Sequence, residues 1–191
     1  TNGLTKTGAG TLILKNTTNS ITGAVTLTTG TLQFDNSGVG SATFLGAAAT
    51  TTVASGTTLS LIQSYNGGYA AARTLTMGTS VTFNGGTMNL GSTNGALFSR
   101  IGSGTSLAIA GGTTIALSNG GFTQDVTIEG TVTGTGTLNL NRANTNTKYL
   151  NLKGNMSGYS GNVTIGTSTA AGYVLFGHSS GWGTGSLTLT G

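Results

Sequence analysis

Side chains that carry acid–base chemistry are few in this sequence. The 191 residues contain three acids, Asp35, Asp125 and Glu129, and one histidine, His178. Asp125 and Glu129 belong to the segment DVTIE, and on a strand that rises about 3.3 Å per residue they would face one side, about 13 Å apart. A glycosidase carboxylate pair is roughly 5–9.5 Å apart. We therefore expect a solvated strand face here.

Nucleophilic, phosphate-binding and metal-binding patterns give no better candidate. A set of serines with His178 and an aspartate is too common to indicate a catalytic triad. The glycine run at Gly134 lacks the Gly-Lys-Ser that a phosphate-binding loop needs. Cysteine is absent, and three acids cannot supply a repeated calcium site. The sequence therefore predicts a protein that is not an enzyme, with no catalytic residue, no cofactor and no metal.

The composition indicates short strands and tight turns. The chain has 35 glycines, 40 threonines, no proline and only 5% charged residues. Threonine suits a pleated strand, while glycine and asparagine supply the left-handed positions of turns. A hydrophobic content of 36% exceeds what a disordered chain needs, and no apolar run approaches the roughly 20 residues of a membrane span. We predict an all-β protein.

The net charge of +4 reflects scarce acids rather than a basic patch. Nucleic-acid binding calls for clustered Lys and Arg with interleaved aromatic residues, and the seven bases are scattered. The densest group, Arg142, Lys148 and Lys153, is expected to be solvated. We expect no nucleic-acid partner.

Strand signals recur about every ten residues, a spacing that sandwiches and solenoids share. Many begin with a Gly-Thr phrase, as in GTLILKN at Gly10, GTLQFDN at Gly30 and GTLNLN at Gly136. Short strands with small apolar residues suit the narrow interior of a coil better than a sandwich core. Two or three strands per coil give roughly 20–30 residues per coil, hence roughly six to nine coils, or rungs. We predict one β-solenoid over residues 1–191.

The interior should hold alternating apolar residues, and the stretch 46–52 and the segment 64–73 should form loops. The residues expected to face inward are Leu12, Leu14, Leu32, Phe34, Leu59, Leu61, Phe83, Leu107, Ile109, Ile115, Leu117, Leu138, Leu140, Leu187 and Leu189.

The first 35 residues or so resemble a known family. GLTKTGAGTLIL, followed by NSITGAVTLTTGTLQF, resembles the autotransporter-associated β-strand repeat of bacterial surface proteins. Leu4 to Leu12 match its opening strand, Ile21 stands where an aromatic residue is usual, and Gly30 to Leu32 match its close. A degenerate second copy runs from Gly134 to Thr167. The resemblance implies a right-handed parallel β-helix that is secreted to a bacterial cell surface or extracellular matrix and acts as scaffold, with no active site.

Both ends of the sequence read as parts of such a repeat, TNGLTKTGAGTL at the start and GTGSLTLTG at the close. We expect an internal piece, or one period, of a longer repetitive chain. Its partners would be further coils of the same chain or copies of itself, stacked head to tail into a fibre. The expected function is an extracellular structural scaffold or spacer.

Two other functions stay open at this point. Exposed aromatic residues could bind glycan or a host surface, and the candidate contacts are Tyr65, Tyr69, Tyr159 and Trp182. The favoured placement of these rings is nevertheless along the interior or over the corners of the coil. Thr-x-Thr pairs, such as Thr26 with Thr28 and Thr188 with Thr190, could order water against ice. Their spacing along the sequence is irregular, which favours ordinary strands.

Overall fold

The computed structural model describes residues 2–15, 19, 21–36, 42–63, 73–92, 99–118, 126–142, 149–166 and 173–190. Within these ranges the chain forms 20 strands of three to six residues and no helix. None of the described residues therefore belongs to a helix that could cross a membrane. The all-β prediction is confirmed.

The strands form three sheets, which we call A, B and C. Sheet A contains β1 (Leu4–Lys6), β3 (Val25–Leu27), β6 (Thr50–Val53), β9 (Ser80–Asn84), β12 (Ser106–Gly111) and β15 (Val132–Gly134). Sheet B contains β2 (Thr11–Lys15), β4 (Thr31–Asn36), β7 (Thr58–Gln63), β10 (Thr87–Ser92), β13 (Thr113–Ser118), β16 (Leu138–Arg142), β18 (Val163–Gly166) and β20 (Leu187–Thr190). Sheet C contains β5 (Ala42–Leu45), β8 (Arg73–Met77), β11 (Ser99–Ile101), β14 (Val126–Ile128), β17 (Tyr149–Leu152) and β19 (Tyr173–Phe176).

All pairings between the strands are parallel, and each strand pairs with its counterpart one coil away. From β3 to β17 the chain visits sheets A, B and C in turn five times. Paired residues range from 20 positions apart, Thr11 with Thr31, to 33 positions apart, Thr43 with Thr76. The chain is a parallel β-solenoid, and the eight strands of sheet B fall within the predicted number of coils. Its right-handed winding stays a prediction.

The recurring Gly-Thr-Leu phrase encodes the corner between sheets A and B. Gly30 has φ of 74°. This left-handed conformation is energetically unfavourable for any residue that has a side chain. A Cβ at this position would also collide with the backbone of the preceding coil, at Gly8 and Gly10. Thr31 then points outward and Leu32 inward, where it is fully buried. The same phrase therefore builds corner, surface and core in three consecutive residues.

The interior is a continuous aliphatic core along the stacked coils. Ten of the residues predicted to face inward are at most 1% exposed: Leu32, Phe34, Leu59, Leu61, Phe83, Leu107, Ile109, Ile115, Leu138 and Leu140. Leu12, Leu14 and Leu187 are half-buried, and the side chain of Leu117 lies outside the described part. Leu189 is 71% exposed, so its predicted burial is wrong. It lies on β20, which pairs with β18 on one edge and with no other described strand.

The expected loop at residues 46–52 is also wrong. The backbone N–H of Ala49 donates to Gly46 O at 2.9 Å, which closes a tight turn, and β6 starts at Thr50. Most of the segment 64–73 lies outside the described residues.

Candidate functional site

The acidic residues that were considered for catalysis do not form a described carboxylate pair. Glu129 Oε1 lies 3.3 Å from Arg100 Nη1, and both side chains are partly exposed on sheet C. The Arg100 guanidinium also donates to Thr74 Oγ1 from Nη2, at 2.8 Å. Asp125 lies outside the described residues, so the separation predicted for it and Glu129 stays a prediction. The Glu129 carboxylate is thus occupied by a surface ion pair.

Lys6 is a buried cation that sequence reasoning did not single out. Lys6 is 7% exposed. Its ammonium group donates to three carbonyl oxygens, Thr7 O at 3.0 Å, Gly8 O at 2.6 Å and Thr29 O at 3.3 Å. These bonds use all three ammonium protons, as a buried charge requires. Lys6 therefore joins the first coil to the second and offers no donor to a ligand.

Among the described residues, no group of three His, Cys, Asp or Glu side chains is placed to hold a metal ion. His178 is the single histidine of the sequence. Its Nδ1 accepts a hydrogen bond from the backbone N–H of Ser180 at 3.1 Å. The Ser180 hydroxyl is 2.9 Å from the same nitrogen and accepts the backbone N–H of Met156, also at 2.9 Å. These bonds fasten one coil to the next, which gives His178 and Ser180 a structural role.

The same turn contains GHSSG at residues 177–181, the G-x-S-x-G spacing of a nucleophile elbow. An elbow of that kind lies between a strand and a helix, whereas here β19 runs into a turn. The central serine, Ser179, is exposed, and His178 bonds to Ser180 instead. The spacing therefore does not assemble a catalytic pair.

The four aromatic residues predicted as possible adhesive contacts have different fates. Tyr65 and Tyr69 lie outside the described residues. Tyr159 is fully buried, and its hydroxyl donates to Gly136 O at 2.7 Å, with Asn162 O 3.1 Å away. The suggestion that Tyr159 contacts a ligand is therefore wrong, because its ring fills the interior beside glycine backbone. Trp182 is 39% exposed.

Trp182 lines a surface pocket at the turn between β19 and β20. The pocket has a volume of about 330 Å³ and is lined by Ser179, Ser180, Gly181, Trp182 and Gly183. The indole Nε1 donates to Gly185 O at 3.1 Å. The ring also packs edge-on against Phe176, with the ring centroids 6.1 Å apart and the planes at 69°. The pocket thus combines a fixed aromatic ring with hydroxyl and backbone polar groups.

Threonines form two outward-facing columns, one on sheet A and one on sheet B. The sheet A column contains Thr5, Thr26, Thr52, Thr82, Ala108 and Thr133. The sheet B column contains Thr11, Thr31, Thr58, Thr87, Thr114, Asn139, Thr164 and Thr188. Thr-x-Thr pairs noted in the sequence fall on different faces, since Thr74 and Thr76 lie on sheet C and Thr188 and Thr190 on sheet B. Because the coils differ in length, the members of a column are not evenly spaced along the sequence, and the columns cannot be recognised from it.

Comparison of the chain with protein-family models, with curated proteins and with solved structures finds no match in any of the three. The resemblance to the autotransporter-associated repeat therefore stays a prediction that rests on the residues quoted above.

Proposed function

We propose that this chain is an extracellular structural scaffold, a spacer segment of a large bacterial surface or matrix protein whose coils stack end to end into a fibre. The observation that carries the proposal is a single column of aliphatic side chains along sheet B. Its members are Leu12, Leu32, Leu59, Met88, Ile115, Leu140, Ile165 and Leu189.

This aliphatic column reaches both outer strands of the sheet. Inside the stack, Leu32, Leu59 and Met88 are fully buried. At the two outer strands, Leu12 is half-buried and Leu189 is 71% exposed. Stacking β2 of one copy on β20 of another would place Leu12 against Leu189. It would also pair the outer edges of β2 and β20, each of which adjoins no further described strand of sheet B, and a head-to-tail contact of this kind continues without closing.

The stacking is tested by sedimentation velocity and negative-stain electron microscopy of the purified chain over a range of concentrations. We expect unbranched fibres in which each copy adds about 38 Å, eight coils at about 4.8 Å each. Leu189→Lys should keep the chain monomeric, because it puts a charge into the stacking contact. Leu175→Lys is the matched control, since Leu175 is also exposed, at 42%, but lies on sheet C, away from the aliphatic column.

The proposal fails if the unaltered chain sediments as a monomer at every concentration. It fails equally if Leu189→Lys assembles as well as the unaltered chain does.

The sheet A threonine column supports a second candidate function, ice binding. Its members sit beside a second column of small hydroxyl residues, Thr50, Ser80 and Ser106. On parallel strands, neighbouring rows are about 4.8 Å apart and alternate residues about 6.6 Å apart, so hydroxyls and methyls repeat on a regular grid. A regular grid of this kind could hold water molecules in an ordered layer.

Thermal hysteresis distinguishes this function from scaffolding alone. If sheet A binds ice, Thr52→Lys should abolish hysteresis, whereas Thr87→Lys, in the sheet B column, should preserve it. Absence of hysteresis in the unaltered chain would remove this candidate and leave the scaffold proposal intact.

A further inference from the structure

We infer that the turn around Trp182 is a carbohydrate-binding site in which the indole stacks on a pyranose ring of a neutral oligosaccharide. This inference rests on observations other than the aliphatic column: the described lining of the pocket lies in the turn before β20 and includes no member of that column. It depends on how Trp182 is presented, how firmly it is held and which groups surround it.

The register between successive coils shows that Trp182 belongs to the outer surface. Val163 pairs with Leu187, 24 positions later, and Met156 bonds to Ser180, also 24 positions later. The same offset places Trp182 over Gly158, which is exposed on the outside of the preceding coil. Trp182 is thus not an interior residue that merely lacks a cover.

The backbone on either side of the ring is shaped to present it. Gly181 and Gly183 have φ of 57° and 90°, so Trp182 sits at the tip of a turn between two left-handed glycines. A Cβ at Gly183 would collide with the carbonyl of Tyr159 in the coil below. The turn therefore lies tightly on the preceding coil, and Trp182 extends from it.

Two contacts hold the indole in one orientation before any ligand arrives. These are the Nε1–H bond to Gly185 O and the T-shaped contact with the ring of Phe176. A ring that is already fixed loses little conformational entropy on binding. Since the indole N–H is occupied, what Trp182 can offer a ligand is the apolar surface of its ring.

The pocket combines an aromatic ring with polar groups, a combination that suits both the apolar face of a sugar ring and its hydroxyl groups. A pyranose has an apolar face of C–H groups, which stacks on an aromatic ring, and a rim of hydroxyls, which exchange hydrogen bonds. Ser179, which is exposed, supplies a hydroxyl beside Trp182. The Ser180 hydroxyl, which already bonds to His178 and Met156, is a second polar group of the lining. Among the described residues, the lining contains no charged side chain, which favours a neutral sugar over an anionic one.

The test uses intrinsic fluorescence, because Trp182 is the single tryptophan of the chain. Cellohexaose, chitohexaose and maltohexaose are titrated separately into the full chain, and isothermal calorimetry repeats any titration that responds. We expect a saturable shift in the emission of Trp182 with at least one of these sugars. By calorimetry, Trp182→Ala should weaken that binding at least about tenfold, and Trp182→Phe should weaken it less.

Leu175→Ala is the control variant, because Leu175 is an exposed apolar residue of similar accessibility that does not line the pocket. It should bind as the unaltered chain does. The inference is overturned if none of the three sugars gives a saturable response, or if Trp182→Ala binds as tightly as the unaltered chain. Circular dichroism and melting of each variant verify that it is folded. If Trp182→Ala fails to fold, Trp182→Phe decides, and equal affinity of that variant in calorimetry, with no change in binding enthalpy, overturns the inference.

Discussion

Two successive coils each carry an aromatic residue at the same corner. In one coil the ring lies inside the solenoid, and in the next it lies on the outer surface. Tyr159 is fully buried, with its hydroxyl bonded to backbone carbonyls of its own and the preceding coil. Trp182, in the next coil, is 39% exposed beside a pocket. The first ring stabilises the fold, and the second is available to a ligand.

A shift of one position accounts for the difference. With coils aligned on Val163 and Leu187, Tyr159 corresponds to Gly183, and Trp182 corresponds to Gly158. Where side chains alternate between faces, moving a residue by one position transfers it to the other face. The corner therefore carries a structural ring in one coil and an exposed ring in the next, on connections of equal length between the flanking strands.

The largest expected difference between the two rings is in stability. Tyr159→Ala should lower the free energy of unfolding by about 3–5 kcal/mol, because it leaves a cavity in a packed interior. Trp182→Ala should cost less, about 1–2 kcal/mol, because the residue is 39% exposed and loses one hydrogen bond and its packing against Phe176. Urea unfolding of both variants measures the difference. Equal losses would contradict the inside–outside assignment.

The second largest expected difference is in how stability depends on alkaline pH, because Tyr159 is a buried phenol. Burial raises the pKa of Tyr159 from its ordinary value of 10.0 to about 12, against a smaller opposing effect of a backbone hydrogen bond at Leu138. The folded state therefore favours the protonated phenol. Its contribution is complete below pH 10 and falls by about 1.4 kcal/mol per pH unit as pH rises towards 12.

Tyr159→Phe provides the comparison for this titration. The variant should lose about 1 kcal/mol at neutral pH with the hydroxyl hydrogen bond, and its stability should fall less steeply between pH 10 and 12. Unfolding curves at several pH values measure both effects. Parallel pH profiles for the two chains would show that Tyr159 does not titrate as a buried phenol.

The glycines that flank Trp182 should differ in their tolerance of a side chain. Gly183→Ala should cost about 2 kcal/mol and Gly181→Ala about 1 kcal/mol, since each has positive φ. Gly183 has the larger effect because its Cβ would also meet the Tyr159 carbonyl, while nothing lies within 4 Å of a Cβ at Gly181. Thermal melting ranks the two, and the reverse order would contradict the described turn.

The smallest effect is expected on sheet C, away from both rings. Arg100→Ala should cost less than about 1 kcal/mol, because its ion pair with Glu129 is partly exposed at 37% and 28% of the two side chains. High salt should reduce that cost further. A loss that matches Tyr159→Ala would mean that sheet C, rather than the core, dominates stability.

The fold was largely predictable because its signals are local. A Gly-Thr-Leu phrase such as Gly30–Leu32 specifies corner, surface and interior within three residues. What the sequence could not supply is the register between coils, since paired residues are 20 to 33 positions apart. For that reason the threonine columns, the burial of Tyr159 and the position of Trp182 over Gly158 became visible only in the structure. Leu189 was assigned to the interior by alternation alone, which does not report whether a neighbouring strand covers it.

The central claim, that stacked coils continue from one copy to the next, is tested most directly by cross-linking. The chain has no cysteine, so Thr11→Cys and Thr188→Cys introduce two thiols at the outer members of the sheet B column. Stacked strands are about 4.8 Å apart, within the Cα separation that a disulfide allows. Under mild oxidation we predict a ladder of covalent multimers on a non-reducing gel, whereas Thr188→Cys alone should form no ladder. The account would be contradicted if the doubly substituted chain remains folded but gives only monomers on the gel, even at high protein concentration.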